Sequence, residues 1–254
     1  MATARPDSGN AVLRTEEARP WPWWGEEVQG LEDLTERIRS AETIEDWSRI
    51  LRDHLRWGNT KIADSVAIFN LNAAHDCPNL ATDNCQVDPD ECYAVHSEKA
   101  FPNALSFRRR QEYLWDHLDA QTFAEAFEEV LERKRKPVDA FRVNQSGDVR
   151  HRGDIVKLDR IAGLVSVLVY LYSASDYLDW DGVEHLTVNQ SNAFADYGHR
   201  HFTALPHGVD SEDVEWLDDN AVQCPYDAHD KRIKCGECRL CINPDGPDVY
   251  IRLH

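Results

Sequence analysis

The sequence predicts an α/β fold: a partial (β/α) barrel of about six parallel strands, preceded by an N-terminal helical hairpin. Three observations lead there. From Ser65 onward, short apolar, β-branched runs alternate with helical stretches. The better-defined runs each empty into small polar residues, as strands do at the ligand-binding end of such folds. The first 58 residues carry apolar positions at helical spacing and no strand pattern.

The elements follow in order. Residues 1–20 are polar and read as a disordered arm, and Trp21-Pro22-Trp23-Trp24 reads as the anchor that holds this arm on the main domain. Leu31, Leu34 and Ile38 mark a first helix. Thr43, with Asp46 three residues on, caps a second, whose core face is Ile44, Trp47, Ile50, Leu51 and Leu55, and Gly58-Asn59 should stop it. Strands are expected at Ser65–Asn70, Val138–Asn144, Val167–Tyr172, Glu184–Asn189, His201–Leu205 and, more weakly patterned, Ala221–Gln223. Helices are expected between them at Asn103–Leu118, Thr122–Arg135, Asp154–Leu164 and Glu212–Leu217. Three segments result: residues 1–58, arm and hairpin; residues 59–223, the partial barrel; and residues 224–254, a C-terminal four-cysteine metal-binding segment.

Composition narrows the function. The chain has 254 residues, 46 acidic and 28 basic, for a formal charge of −18. Of the basic residues 21 are Arg and 7 Lys, a balance that suits a halophilic cytoplasm in which molar salt screens self-repulsion. Such a field argues against non-specific binding of nucleic acid, which needs clustered cations. No 18-residue apolar run is present, so no membrane span is expected, and the first residues lack the apolar core of a signal peptide. The expected location is therefore the cytoplasm, where seven cysteines, an odd number, point to metal or redox chemistry rather than disulfides.

The cysteines fall in two groups. Cys77, Cys85 and Cys92 lie on the loop after the first strand, amid Asp76, Asn79, Asp83, Asn84, Asp88 and Asp90. Buried structural cysteines sit in apolar runs, so these read as ligands. Three thiols leave a fourth coordination position open, as a catalytic metal or cluster requires. A zinc site completed by His75 or His96 is the rival reading. Cys224, Cys235, Cys238 and Cys241 follow the spacing C-x10-C-x2-C-x2-C, whose two-residue gaps let neighbouring thiolates turn onto one ion, with Gly236 easing the turn. With Pro244 following, this group suits a [4Fe–4S] cluster, and it also suits zinc.

The strand ends form the expected ligand rim. Val-Asn-Gln-Ser occurs twice, at Val143–Ser146 and Val188–Ser191, and Ser173 follows the third strand. Ser146, Gly147, Asp148, Ser173, Asn189 and Ser191 are the candidate ligand-contacting residues. Arg108-Arg109-Arg110 lies on the helix after the cysteine loop, from which one arginine could reach the site. Arg133-Lys134-Arg135-Lys136 complements a helix C-terminus. His199, His201 and His229 form chance pairs in a chain with 11 histidines.

The combination C-P…C…C-Y-A, F-R-V-N-Q-S-G-D, L-Y-S-A-S and the terminal C-G-E-C-R-L-C resembles the gene-product-eighty-eight family of tailed-phage and prokaryotic proteins, over roughly residues 59–242. The layout also resembles, at a distance, radical S-adenosylmethionine proteins, although its C-x7-C-x6-C differs from their usual C-x3-C-x2-C and Tyr93 follows rather than precedes the last cysteine. That resemblance implies a [4Fe–4S] cluster on Cys77, Cys85 and Cys92 at the barrel mouth, whose open iron chelates S-adenosylmethionine. Ser146-Gly147-Asp148 would then meet the S-adenosylmethionine amino group, and the terminal cysteines would hold an auxiliary cluster. The expected function is radical chemistry on an unidentified small-molecule substrate. The alternative is a non-catalytic module, stabilised by zinc or iron–sulfur and of viral origin, that binds a nucleotide or a protein partner.

Overall fold

The computed structural model describes residues 26–252 except 83, 86, 89, 192–195, 206, 207, 215, 216, 218, 219 and 230. The arm and the indole cluster expected at residues 1–24 lie outside the described residues. Helices α1 (Leu31–Ser40) and α2 (Ile44–His54) form the hairpin. Thr43 and Asp46 make a reciprocal cap on α2: the Thr43 hydroxyl accepts the Asp46 N–H at 3.2 Å, and the Asp46 carboxylate accepts the Thr43 N–H at 3.1 Å. Helix α2 stops at His54 rather than at Gly58-Asn59. Arg56 and Trp57 leave the helix to form strand β1 (Arg56–Trp57), antiparallel to β2 (Val66–Phe69), and Gly58 makes the turn between them at φ 60°. Leu34, Ile50, Leu51 and Leu55 are buried in the main core, so the hairpin shares that core with the following segment.

A 3-10 turn at Ala74–Asp76, α3 (Pro78–Ala81) and α4 (Tyr93–Ala100) punctuate the cysteine loop after β2. Next come α5 (Pro102–His117), α6 (Ala120–Glu132), β3 (Ala140–Val143), α7 (Arg152–Leu164) and β4 (Leu168–Ser173). Strands β5 (Thr187–Ser191), β6 (Arg200–Leu205) and β7 (Val222–Gln223) follow, then α8 (Pro225–Ala228), α9 (Cys235–Cys238) and β8 (Val249–Arg252). Of the helix expected at Glu212–Leu217, the described residues show a 3-10 turn at Ser211–Asp213.

Among the described residues eight strands form one sheet in the order β1-β2-β3-β4-β5-β6-β8-β7, all parallel except β1. The α/β class therefore holds, with seven parallel strands where about six were expected. The sheet is open: β1 covers the outer edge of β2, and β7 forms the other edge. The segment after residue 223 contributes β8, which lies between β6 and β7.

Side-chain alternation gives the sheet two unlike faces. Ala67, Phe69, Phe141, Val143, Val169, Leu171 and Val188 point toward the helices and join Leu114, Trp115, Phe123, Phe127, Ile155 and Leu158 in the main core. Phe127 and Phe141 meet at a tilt with centroids 4.7 Å apart, and Phe69 meets Phe123 edge-on at 5.5 Å. Each such buried ring contributes roughly 1.5–3 kcal/mol. The opposite face carries Val66, Ile68, Ala140 and Tyr170, which pack with Ile62 and Ile242 in a much smaller cluster. Arg142 and Tyr172 share this face by the same alternation, and here the sheet opens into a cavity.

Candidate functional site: a cysteine-lined cleft

The polar strand ends fold into one another. Asn72 reaches from the loop after β2 to Asp148, its amide donating to the Asp148 carbonyl at 2.6 Å and accepting the Asp148 N–H at 3.0 Å. Asn70 accepts the Ser146 N–H at 2.9 Å, and Asn144 accepts the Leu71 N–H at 3.1 Å. Three asparagines thus join the loops after β2 and β3 through buried hydrogen bonds that cannot be lost without leaving unpaired polar groups. Gly147, at φ 70°, passes directly beside Asn72.

Asp148 ties in the third loop. Its carboxylate accepts the Val149 N–H at 2.7 Å, the Ala174 N–H at 2.7 Å and the Asn79 side-chain amide at 2.6 Å. Asn79 also donates to the Ser175 hydroxyl at 2.9 Å, which links the cysteine loop to the end of β4. Burial pushes the Asp148 carboxyl up to about 6, against the pull of hydrogen bonds from Ser173, Ala174, Val149 and Asn79. A carboxyl raised above its unfolded value makes the folded state bind the proton more tightly, so stability should rise as pH falls through 6 and level off below about 4. The gain is on the order of 3 kcal/mol. Urea unfolding of wild type and Asp148→Asn across pH 4–7 checks this: the wild-type profile should climb toward pH 4 relative to the variant, and parallel profiles would refute it.

The arginine triplet is spent on anchoring. Arg108 donates to Glu98 at 2.6 Å, and Glu98 accepts the N–H groups of Ala74 and His75 and the Ser146 hydroxyl. Arg109 grips Asp76 with two bonds, at 2.8 and 3.0 Å. Arg110 donates to the Gln29 carbonyl. The loop that begins at Ala74 is therefore clamped to α5.

All seven cysteines line a single cavity of about 930 Å³, which opens on the face of the sheet opposite the main core and at its carboxyl edge. All seven are free thiols. Cys77 and Cys92 stand at the N-caps of α3 and α4, and Cys224 at that of α8. Burial pushes the Cys77 and Cys85 thiols up, with Asp148 adding to it, and Cys241 rises to about 11, also from burial. Thiols in this state need a cation to become thiolates. The donor set, soft sulfur in groups of three and four, fits iron–sulfur or zinc and not magnesium or calcium. Among the described residues no three His, Cys, Asp or Glu side chains already converge on a point where a metal ion would sit, so ligation requires the thiols to turn inward.

Of the expected rim, Ser146, Gly147, Asp148, Ser173 and Ser191 line the cavity. Asn189 does not. Its amide donates to the carbonyls of Leu171 and Cys241, because the second Val-Asn-Gln-Ser lies within β5 while the first turns off the end of β3. His96 lines the cavity with its Nε2 2.6 Å from the Asp90 carbonyl, whereas His75 lies 3.8 Å from Glu98. His201 is taken up by Asp196 at 2.8 Å. The residues that sequence reading passed over are Asn79, Arg142, Tyr170 and Tyr172. Arg142 shares a face of β3 with Ala140 by strand alternation, and nothing in the sequence says which face the main core covers.

An open, mostly parallel sheet, with the main helical core on one face and a thiol-lined cleft on the other, defines an α/β protein. The chain belongs to the Gene product 88 family, whose model matches residues 49–177. The match runs from within α2 to the loop after β4. It takes in Cys77, Cys85, Cys92 and the joined loops, and stops before the terminal cysteines. No curated protein and no solved structure matches the chain, and the family match does not show the likeness to radical S-adenosylmethionine proteins. Among the described residues no helix is long and apolar enough to cross a membrane.

Proposed function

We propose that the protein is an iron–sulfur protein that performs S-adenosylmethionine-dependent radical chemistry on a small-molecule substrate in the cleft. The sheet is then a (β/α) barrel opened between β1 and β7. The observation that carries the reading is the meeting of all seven cysteines, from two distant stretches of chain, on one cavity. Cys77, Cys85 and Cys92 would hold a [4Fe–4S] cluster, and Cys224, Cys235, Cys238 and Cys241 a second cluster or zinc. When bound, the three-cysteine cluster supplies one-electron reduction at an iron the protein leaves free. The chain's own part is positional. Asn79 and Asp148 hold the first cysteine loop against the end of β4, and Glu98 holds its base.

The second reading is a metal-stabilised module that binds a nucleotide or protein partner without catalysis. The full commitment of the Asp148 carboxylate to Val149, Ala174 and Asn79 favours it, since that carboxylate would otherwise meet the S-adenosylmethionine ammonium. Anaerobic reconstitution, with iron, sulfide and zinc analysis of wild type, Cys77→Ser and Cys238→Ser, tests both. Each variant should lose the share of metal belonging to its own group. Cys238→Ser should also lower Tm sharply, because a folded metal site contributes on the order of 10 kcal/mol. A reduced-state paramagnetic resonance signal that shifts on adding S-adenosylmethionine supports the enzyme, and an indifferent signal or zinc at the first group supports the module. Unchanged metal content in both variants would remove both.

A further inference from the structure

Buried polar atoms without a partner collect in the cleft. Among the described residues six buried side-chain nitrogen or oxygen atoms lack a hydrogen bond, and four of them belong to residues lining this cavity: Asn79 Oδ1, Arg142 Nε, Asn144 Nδ2 and the Tyr170 hydroxyl. Three of the four can donate. Arg142 and Tyr170 are register partners on β3 and β4, so their side chains stand next to each other on the same face of the sheet. Tyr172 flanks them, with the Arg142 guanidinium 4.6 Å from its ring centroid. Asn144 closes the end of the same strand as Arg142.

Arg142 differs from the other inward-facing arginines. Arg108, Arg109 and Arg150 each engage a carboxylate, at 2.6, 2.8 and 2.6 Å. Arg200 is taken up by the carbonyls of Leu240 and Asn243. Arg142 is largely buried and has no hydrogen bond or ion pair among the described residues. The groups that act most strongly on its charge are Tyr93, Tyr172, Tyr170 and Cys235, none of them a carboxylate. A sheltered guanidinium without one is costly unless an anion comes to it. The carboxylates that line the cavity, Asp90, Glu91 and Asp148, stand on the loops beyond the strand ends, while Arg142 and Tyr170 stand within the sheet.

We propose that Arg142, Tyr170 and Asn144 form an oxyanion-binding floor of the cleft, which receives the carboxylate or phosphate group of a small-molecule ligand. The inference rests on the cleft being a ligand site and requires no metal in it. A planar guanidinium offers paired N–H donors that match a carboxylate or phosphate edge, and the Tyr170 hydroxyl supplies a further donor beside it.

The test is binding of inorganic phosphate and of acetate, each against chloride at equal ionic strength, to the full chain as purified. Calorimetry is the readout, together with the Arg142 15Nε resonance of the wild type. At least one probe should bind and move that resonance, and the tighter of the two names the group. Arg142→Met should weaken binding by about tenfold or more, the equivalent of roughly 1.4 kcal/mol. Arg142→Lys should fall between the two, having lost the planar fork. Tyr170→Phe should weaken binding severalfold. Arg152→Met, which removes a surface cation of equal charge, should leave it unchanged. If Arg142→Met does not fold, Arg142→Lys and the wild-type resonance decide. No binding of either probe by the wild type, or equal binding by the Arg142 variants, overturns the proposal. So does an Arg142→Met protein that binds phosphate normally but takes up less iron, since the guanidinium would then serve the Cys235 thiolate. Metal loading is measured separately, so failure of the iron–sulfur reading leaves this result standing.

Discussion

Gly147→Ala should strip the protein of most of its stability. An added Cβ would fall well inside contact distance of Asn72 Oδ1 and 2.6 Å from the Asn72 carbonyl oxygen. Relief requires Asn72 to move, and Asn72 makes both hydrogen bonds to residue 148. The backbone strain of a non-glycine residue at φ 70° adds to this. Lost buried hydrogen bonds at about 1–3 kcal/mol each, with about 1–2 kcal/mol of strain, bring the expected loss to on the order of 4 kcal/mol. Gly182→Ala is the control: its φ is 75°, and nothing lies within 4 Å of the position a Cβ would take. Chemical denaturation should place Gly182→Ala about 1 kcal/mol below wild type and Gly147→Ala far lower. Equal losses would mean that the junction between the β2 and β3 loops is not tightly packed.

Arg150→Met should be at least as damaging. The Arg150 side chain is 5% exposed and binds Asp154 at 2.9 Å, Glu112 at 3.1 Å and Asp116 at 2.6 Å. Glu112 is 0% and Asp154 2% exposed. Removing the shared cation leaves buried carboxylates uncompensated, a loss of about 3–5 kcal/mol. The pH dependence identifies the cause. Burial alone would raise the Asp154 carboxyl, but the Arg150 guanidinium and the hydrogen bonds it and Trp115 donate hold it well below its ordinary range. A depressed carboxyl contributes stability that is present above about pH 4 and is lost as pH falls below that. In Arg150→Met the sign reverses, because uncompensated buried carboxylates hold their protons more tightly, and acid should partly rescue the variant. Urea midpoints at pH 7 and pH 5 would show it. A variant that is less stable at pH 5 than at pH 7 would contradict this account.

Asp154 also shows where sequence reasoning ran out. In the sequence it marks only the start of the helix expected at Asp154–Leu164. The structure puts it under Trp115 Nε1, at 2.8 Å, and against Arg150. The partners come from α5 and from the loop before α7, and no local pattern joins them. The strands were legible because their apolar residues are β-branched or aromatic and bounded by polar turns. β1 was missed because two residues carry no period. β8 was missed because Val249–Arg252 follows a Pro-, Gly- and Asp-rich stretch that reads as the tail of the cysteine segment. The cysteines were legible by residue type alone, whereas Arg142 and Tyr170 became visible only once the helices had been assigned to the other face.

Strand β8 has a consequence for how the chain is made. It enters the sheet between β6 and β7, although both precede it on the chain. During synthesis at about 5–20 residues per second, β6 must wait several seconds with its edge unpaired, and an unpaired edge is a template for self-association. All four terminal cysteines leave the ribosome in that interval, between Gln223 and Val249, before Phe202 meets its register partner Val249. The thiols thus reach the solvent while this side of the cleft still lacks its last strand. Whatever enters the cleft can do so during that delay, without any later opening of the sheet.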